Sequence, residues 1–278
     1  MIPLKRLMLL AAISLLSCLS IASAQKISVT ISPATIDAEV RRGASYSKTF
    51  NLVNGTGTRL RFKCSVADMW YDENNNRVSG RAGTHERSAS MWVQFSPDEI
   101  IVEPHTTGTV NVVVTVPQTA AGSYYSVPVF EAIPADPVVS DARQAEVSTA
   151  SATIGLRFNG LMSFTTLDTA EYNVEIMGGQ ITPPSESAEL AMQLDVRNRS
   201  NAHIRVRGSY AILNSAGVLA GRGSIEEQRY LPEQRKLLTT GWAGDLAPGT
   251  YTAIVTLSYD RVRMEAATLL YELPLVVY

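Results

Sequence analysis

Side chains that could carry out catalysis are few and widely spaced in this sequence of 278 residues. It contains three histidines, His85, His105 and His203, and two cysteines. No His-x-x-x-His or Cys-x-x-Cys spacing occurs, so no zinc site is predicted. A Gly-x-Ser-x-Gly elbow, a phosphate-binding Gly-Lys-Ser/Thr loop and a Gly-x-Gly-x-x-Gly turn are also missing. We therefore predict a protein that is not an enzyme and needs no cofactor, metal or small-molecule substrate.

One short polar segment has the spacing of a calcium loop. Asp72, Asn74 and Asn76 match the first three ligand positions. Arg77 stands where that loop needs Gly, and Gly83 stands where it needs a bidentate Glu. Asn and Asp also favour tight turns, so the segment is interpreted as a polar hairpin turn.

Four arginines form the most distinctive charge pattern. Arg197 and Arg199 share one face of a predicted strand, and Arg205 and Arg207 share one face of the next. If these strands pair directly, the four cations repel one another unless acidic groups or an anion compensate. The pattern therefore has two interpretations. One is a solvated surface with acidic neighbours, and the other is a patch that binds an anionic envelope polymer or an acidic partner.

The overall composition indicates a folded protein. Hydrophobic residues make up 45% of the chain and charged residues 18%, which disfavours disorder. Lys and Arg total 24 against 26 Asp and Glu, so no broad cationic surface is available for nucleic acid. The length fits one or two domains.

The first residues have the pattern of an export signal. Lys5 and Arg6 precede an apolar run from residue 7 to about residue 21, and an Ala-Ser-Ala site ends at residue 24. This pattern predicts a cleaved signal peptide over residues 1–24 and a periplasmic mature protein. Lipidation at Cys18 is the alternative, which would give a lipoprotein.

The remaining cysteine is predicted to lie in the core. After cleavage Cys64 has no partner for an intrachain disulfide. It alternates with polar residues in step with Leu60, Phe62 and Val66, so a strand here directs its side chain inward. A buried thiol packs as a small hydrophobic group and reacts poorly.

Period-two alternation recurs along the rest of the chain. Val110, Val112 and Val114 share one strand face, and turn signals such as Asn54-Gly55 and Pro248-Gly249 separate the apolar runs. Many short alternating strands predict an all-β chain of two immunoglobulin-like β-sandwich domains. We place the first domain at residues 25–167 and the second at residues 168–278.

Several motifs in the first domain make a family resemblance specific. In order and spacing they resemble the N-terminal domain of PapD-like periplasmic pilus (fimbrial) chaperones. They comprise the hairpin start Met69–Asn74, Ser96-Pro97, Val102-Glu103-Pro104, Val110-Asn111-Val112, Ala121–Tyr125 and Glu131–Pro134.

The resemblance implies a binding function by donor-strand complementation. In that family the last strand of the first domain fills the open core of a pilin subunit, and an outer-membrane usher is a further partner. The matching segment is Thr153–Thr166. We call the bound subunit the client. The residues that the resemblance predicts to contact it are Ile154, Leu156, Phe158, Met162 and Phe164. An ordinary core strand would show the same alternation.

The family's anchor for the subunit's terminal carboxylate is only partly matched. The first-strand position falls near Ala34 or Thr35, and neither residue is basic. On the last strand Arg157 is the anchor candidate. The predicted function is thus a non-enzymatic chaperone-like protein for a pilin-like or other secreted subunit. The alternative is a structural or adhesive envelope protein without a client.

Overall fold

A computed structural model of the protein describes residues 28–136, 155–185, 187–261 and 264–278. These residues form two β-sandwiches, which confirms the predicted all-β class with two immunoglobulin-like sandwiches. Within the described ranges, no helix is long and apolar enough to cross a membrane. The predicted signal peptide and Cys18 lie outside the described residues.

The first sandwich consists of two sheets. Its strands in chain order are β1 (Val29–Ser32), β2 (Thr35–Val40), β3 (Ser45–Asn54), β4 (Leu60–Tyr71), β5 (Arg77–Arg81), β6 (Val93–Ser96), β7 (Glu99–Val102), β8 (Thr106–Thr115), β9 (Ser123–Pro134), β10 (Leu156–Asn159) and β11 (Leu161–Thr166). One sheet has the order β1-β3-β8-β6. The other has the order β2-β11-β9-β4-β5, with β10 also paired to β9 and β7 to β4.

The alternation seen in the sequence produces the core of this sandwich. Val110, Val112 and Val114 on β8 are fully buried, and their neighbours on the strand are exposed. They pack with Phe50, Phe130 and other inward-facing side chains into one apolar cluster. The sandwich therefore follows from period-two patterning on both inner faces.

Cys64 lies in the same core, as predicted. It sits on β4 opposite Phe130 of β9, and 6% of its surface is exposed. Burial, with a smaller effect of Asp98, raises the pKa of the thiol to about 12. The thiol is therefore protonated and unreactive at neutral pH.

The predicted polar turn also forms. Asp72 Oδ1 accepts hydrogen bonds from the backbone N–H of Asn74 at 3.0 Å and of Asn76 at 2.7 Å. The carboxylate thus caps the β4–β5 hairpin from within, as Asp does in many turns.

The second sandwich has its own core. Its strands are β12 (Val174–Thr182), β13 (Leu190–Asn198), β14 (Ile204–Asn214), β15 (Leu219–Tyr230), β16 (Arg235–Trp242), β17 (Gly249–Arg261) and β18 (Met264–Val277). They form the sheets β12-β13-β16 and β15-β14-β17-β18. Leu190, Leu194, Val206 and Val255 are among the fully buried residues between the sheets.

Candidate functional site

The last strands of the first sandwich present an open sheet edge. On one side β10 pairs antiparallel with β9, with Leu156 opposite Ala132 and Phe158 opposite Phe130. Among the described residues, no strand pairs with its other side. The outward-facing N–H and C=O groups of β10 are thus available to another strand.

This opening results from the path of the first two strands. β1 pairs with β3 in the four-stranded sheet, and the chain then passes through Pro33 and Ala34 to the other sheet. There β2 pairs in parallel with β11, and the pairing begins at Thr35 opposite Leu161. β2 covers one side of β11 but does not extend as far as β10. In the part of the chain that the structure describes, that side of β10 therefore has no neighbouring strand.

Apolar side chains line the opening. Leu156 and Phe158 are partly buried and pack against the core of the first sandwich. Val29 and Ile31 on β1, the edge strand of the facing sheet, are partly buried in the same way. The short β1–β2 connection places both edges on the same side of the sandwich. The core is therefore covered incompletely here, and an added strand with inward apolar side chains would cover it.

Met162 and Phe164 do not belong to this opening, which corrects the sequence prediction. Both are 0% exposed, and they lie on β11 between β2 and β9. Their side chains already fill the core of their own domain, so they are unavailable to a client. Ile154 lies outside the described residues.

Arg157 points away from the core, on the opposite face from its two neighbours. Its side chain is 59% exposed, and its Nη1 lies 3.6 Å from Oε1 of Glu131 on β9. A cation is therefore present at the open edge, with one acidic neighbour.

The four arginines of the second domain do not assemble into a single patch. The turn after Asn198 carries the chain from one sheet to the other, so β13 and β14 do not pair. Each arginine instead contacts at least one carboxylate, and Arg205 and Arg207 share Glu227. Arg197 contacts Glu233 at 2.9 Å, Arg199 contacts Glu175 at 2.9 Å, Arg205 contacts Asp37 at 3.0 Å and Arg207 contacts Asp260 at 2.9 Å. The predicted anionic-partner patch is thus replaced by paired surface charges.

One of these pairs belongs to a network between the two sandwiches that the sequence did not reveal. Asp37 on β2 contacts three cationic or titratable side chains of the second domain. They are His203 at 3.3 Å, Arg205 at 3.0 Å and Arg229 at 3.6 Å. Arg229 also donates to Ser163 Oγ on β11 at 2.6 Å. The second domain therefore contacts β2 and β11, the two strands that follow the open edge in this sheet.

The ionisation of Asp37 and His203 reflects this environment. Burial favours neutral Asp37. The hydrogen bond and charge of His203, followed by the charges of Arg229 and Arg205, outweigh that effect and lower the pKa of Asp37 to about 2. Burial has the largest effect on the pKa of His203 and lowers it. The charges of Arg229 and Arg205 act in the same direction, and the opposing effect of Asp37 is smaller than their sum with burial. Asp37 is thus held as a carboxylate at neutral pH.

Backbone contacts bring the two sandwiches together at one glycine. Gly122 has a φ of +80°, and a Cβ there would lie 2.1 Å from the carbonyl oxygen of Asn201. The next residue, Ser123, donates its N–H to that carbonyl at 2.8 Å. Only glycine fits this approach, which gives the Ala121–Tyr125 motif a structural role.

Comparisons with known proteins find similarity to solved structures. No family model matches the chain, and no curated protein matches it. Similar solved structures include a chaperone–tip adhesin complex of CFA/I fimbriae biogenesis, with 12% identity, a TM-score of 0.48, and coverage of 87% of this chain and 98% of that chain. The class 5 fimbriae chaperone CfaA has 12% identity, a TM-score of 0.47 and the same coverage. The YadV chaperone has 9% identity, a TM-score of 0.42, and coverage of 88% and 98%. The names of these similar structures agree with the predicted resemblance to fimbrial chaperones. The two-sandwich fold itself is shown by the strands and cores of this chain.

Proposed function

We propose that the protein is an exported, chaperone-like protein that binds a pilin-like or other secreted subunit by strand addition at β10. The observation that supports this proposal best is the side of β10 that pairs with no other described strand, beside the half-buried Leu156 and Phe158. Strand addition uses both features, because backbone hydrogen bonds give affinity and alternate side chains give register.

The energetics favour a strand that supplies apolar side chains on one face. Full burial of a Leu or Phe side chain contributes about 1.5–3 kcal/mol. Leu156 and Phe158 are only partly buried, so a client strand beside them gains part of that energy on both partners. A strand without inward apolar groups would gain the backbone hydrogen bonds alone, whose net contribution is small.

The proposed setting is the periplasm. It rests on the predicted signal peptide over residues 1–24 and on the motifs that resemble pilus chaperones. In this setting the client is a secreted subunit whose own sandwich lacks a strand, and an outer-membrane usher would receive the complex. The protein performs no chemical step in this proposal.

The test uses a short fluorescent peptide that alternates Val and Thr, and fluorescence anisotropy measures its binding. The double variant Leu156→Ser and Phe158→Ser should lose binding. The matched control, Leu237→Ser and Leu270→Ser, changes two apolar side chains that are 63% and 70% exposed in the second domain. It should bind as the wild type does.

Thermal unfolding of both double variants shows whether each is folded. Peptide binding that survives the change at Leu156 and Phe158 in a folded protein would contradict the proposal. Absence of binding by the wild type would favour the alternative of a structural or adhesive envelope protein.

A further inference from the structure

A row of alternating charges crosses the sheet that contains the open edge. Lys63 on β4 stands opposite Glu99 of β7 on one side and opposite Glu131 of β9 on the other. Glu131 in turn stands opposite Arg157 of β10. Directly opposed residues share a face of the sheet, so these four side chains form one ladder with the signs minus, plus, minus and plus.

The ladder ends at the open edge with a cation. Arg157 is 59% exposed, and its contact with Glu131 is 3.6 Å long. A guanidinium has five N–H donors, and a single long contact leaves most of them available. The last member of the ladder can therefore bind a second carboxylate from the side on which a strand would be added.

We propose that the client strand presents a carboxylate side chain, Asp or Glu, directly opposite Arg157. The residues before and after it on that strand are apolar and lie beside Leu156 and Phe158. This inference rests on the proposed strand addition at β10, and it specifies the client segment as apolar, acidic, apolar. The added acid continues the alternation of the ladder by one strand.

The same arrangement selects the register of the client. A shift by one residue would exchange the two faces of the added strand. The acid would then enter the apolar opening, where an unpaired charge is strongly disfavoured, and an apolar group would lie beside Arg157. Arg157 is thus a specificity residue for the strand, and Leu156 and Phe158 supply its apolar contact.

The test uses the alternating Val and Thr peptide with its central Thr replaced by Glu, Gln or Lys, and with both ends blocked. The wild type should bind the Glu peptide about two- to fivefold more tightly than the Gln peptide, the size expected for an exposed cross-strand charge pair. The Lys peptide should bind most weakly. The preference should decrease as salt is added, because the pair is exposed.

Variants of Arg157 provide the second arm. Arg157→Gln should bind the three peptides about equally, and Arg157→Glu should prefer the Lys peptide. The matched control is Lys63→Gln, which removes a cation of the same ladder. Lys63 lies three strand spacings, about 14 Å, from the added strand, so its loss should leave the preference unchanged.

The outcomes separate this inference from the proposed function. If all three peptides bind equally well, and binding still depends on Leu156 and Phe158, the strand addition stands and the acidic specificity is wrong. If none of the peptides binds, both are wrong. A peptide with Gln at the centre and a free terminal carboxylate serves as the last arm. If this peptide is the only one whose affinity depends on Arg157, then Arg157 binds a terminal carboxylate, and the proposal of an Asp or Glu side chain is overturned.

Discussion

The two halves of the last strand of the first domain, β10 and β11, have the same apolar alternation and opposite surroundings. Leu161–Thr166 pairs on both sides, with β2 and with β9, and its inward side chains are fully buried. Among the residues that the structure describes, Leu156–Asn159 pairs with β9 alone, and its inward side chains are partly buried. The pairing partner, and not the sequence pattern, therefore decides which half is core and which half is available for binding.

The largest expected difference between the halves is in stability. Phe164→Ala on β11 should lower the free energy of unfolding by about 3–5 kcal/mol, because it leaves a cavity in a closed core. Phe158→Ala on β10 should cost about 1–2 kcal/mol, since its ring is only partly buried. Urea unfolding measures both. Equal losses would mean that β10 is as closed as β11.

The ionic network around Asp37 should stabilise the folded state on the side of β11, because Asp37 lies on β2, the strand that pairs with β11. The pKa of Asp37 is lowered to about 2 in the folded protein, from an ordinary value of 3.8. Because the folded pKa is the lower one, the stabilisation is present above about pH 4 and is lost as the pH falls through 2. Asp37 is partly exposed, and the lowered pKa of His203 leaves that imidazole uncharged at neutral pH, so the stabilisation there is about 1 kcal/mol.

Asp37→Asn should therefore remove about 1 kcal/mol at neutral pH and flatten the stability profile between about pH 4 and pH 2. Unfolding measured as a function of pH tests this, with Asp245→Asn at an exposed position as the control. A variant that keeps the steep acid dependence of the wild type would exclude Asp37 as its source.

Thiol labelling can compare the two halves directly. The only cysteine of the described residues, Cys64, is buried and has a pKa of about 12, so it should not react with the labelling reagent in native protein. A thiol introduced as Leu156→Cys should react at least about tenfold faster in native protein than one introduced as Met162→Cys. Similar rates at the two positions would show that the edge is not open.

The smallest effect is expected at Arg157. Its ion pair with Glu131 is long and exposed, so Arg157→Ala should change the free energy of unfolding by less than about 0.5 kcal/mol. Thermal unfolding measures the change. A larger loss would indicate that Arg157 holds β10 to β9 and is not free to select a client strand.

The sequence predicted the features that depend on local patterning. Alternation on β8 and β4 indicated the sandwich core and the inward direction of Cys64, and the Asp72 turn followed from the preferences of Asp and Asn. These depend on neighbours in sequence, which determine strand face and turn type. The same reasoning assigned all of Thr153–Thr166 to one role, because β10 and β11 have identical periodicity.

What the sequence could not show depends on pairs far apart in the chain. The parallel pairing of β2 with β11 separates the closed half from the open one, and it joins residues more than a hundred positions apart. Asp37 and Arg205 meet across 168 positions. Arg197 and Arg205, although close in sequence, belong to different sheets. No local spacing signals any of these relations.

Amide hydrogen exchange at β10 tests the central claim most directly. Residues 156–159 should have amides that exchange quickly in the free protein wherever they face away from β9. When the alternating Val and Thr peptide with a central Glu is bound, those amides should become protected, while the amides of β11 stay slow in both states. If the peptide binds and the exchange of residues 156–159 does not change, strand addition at β10 is wrong.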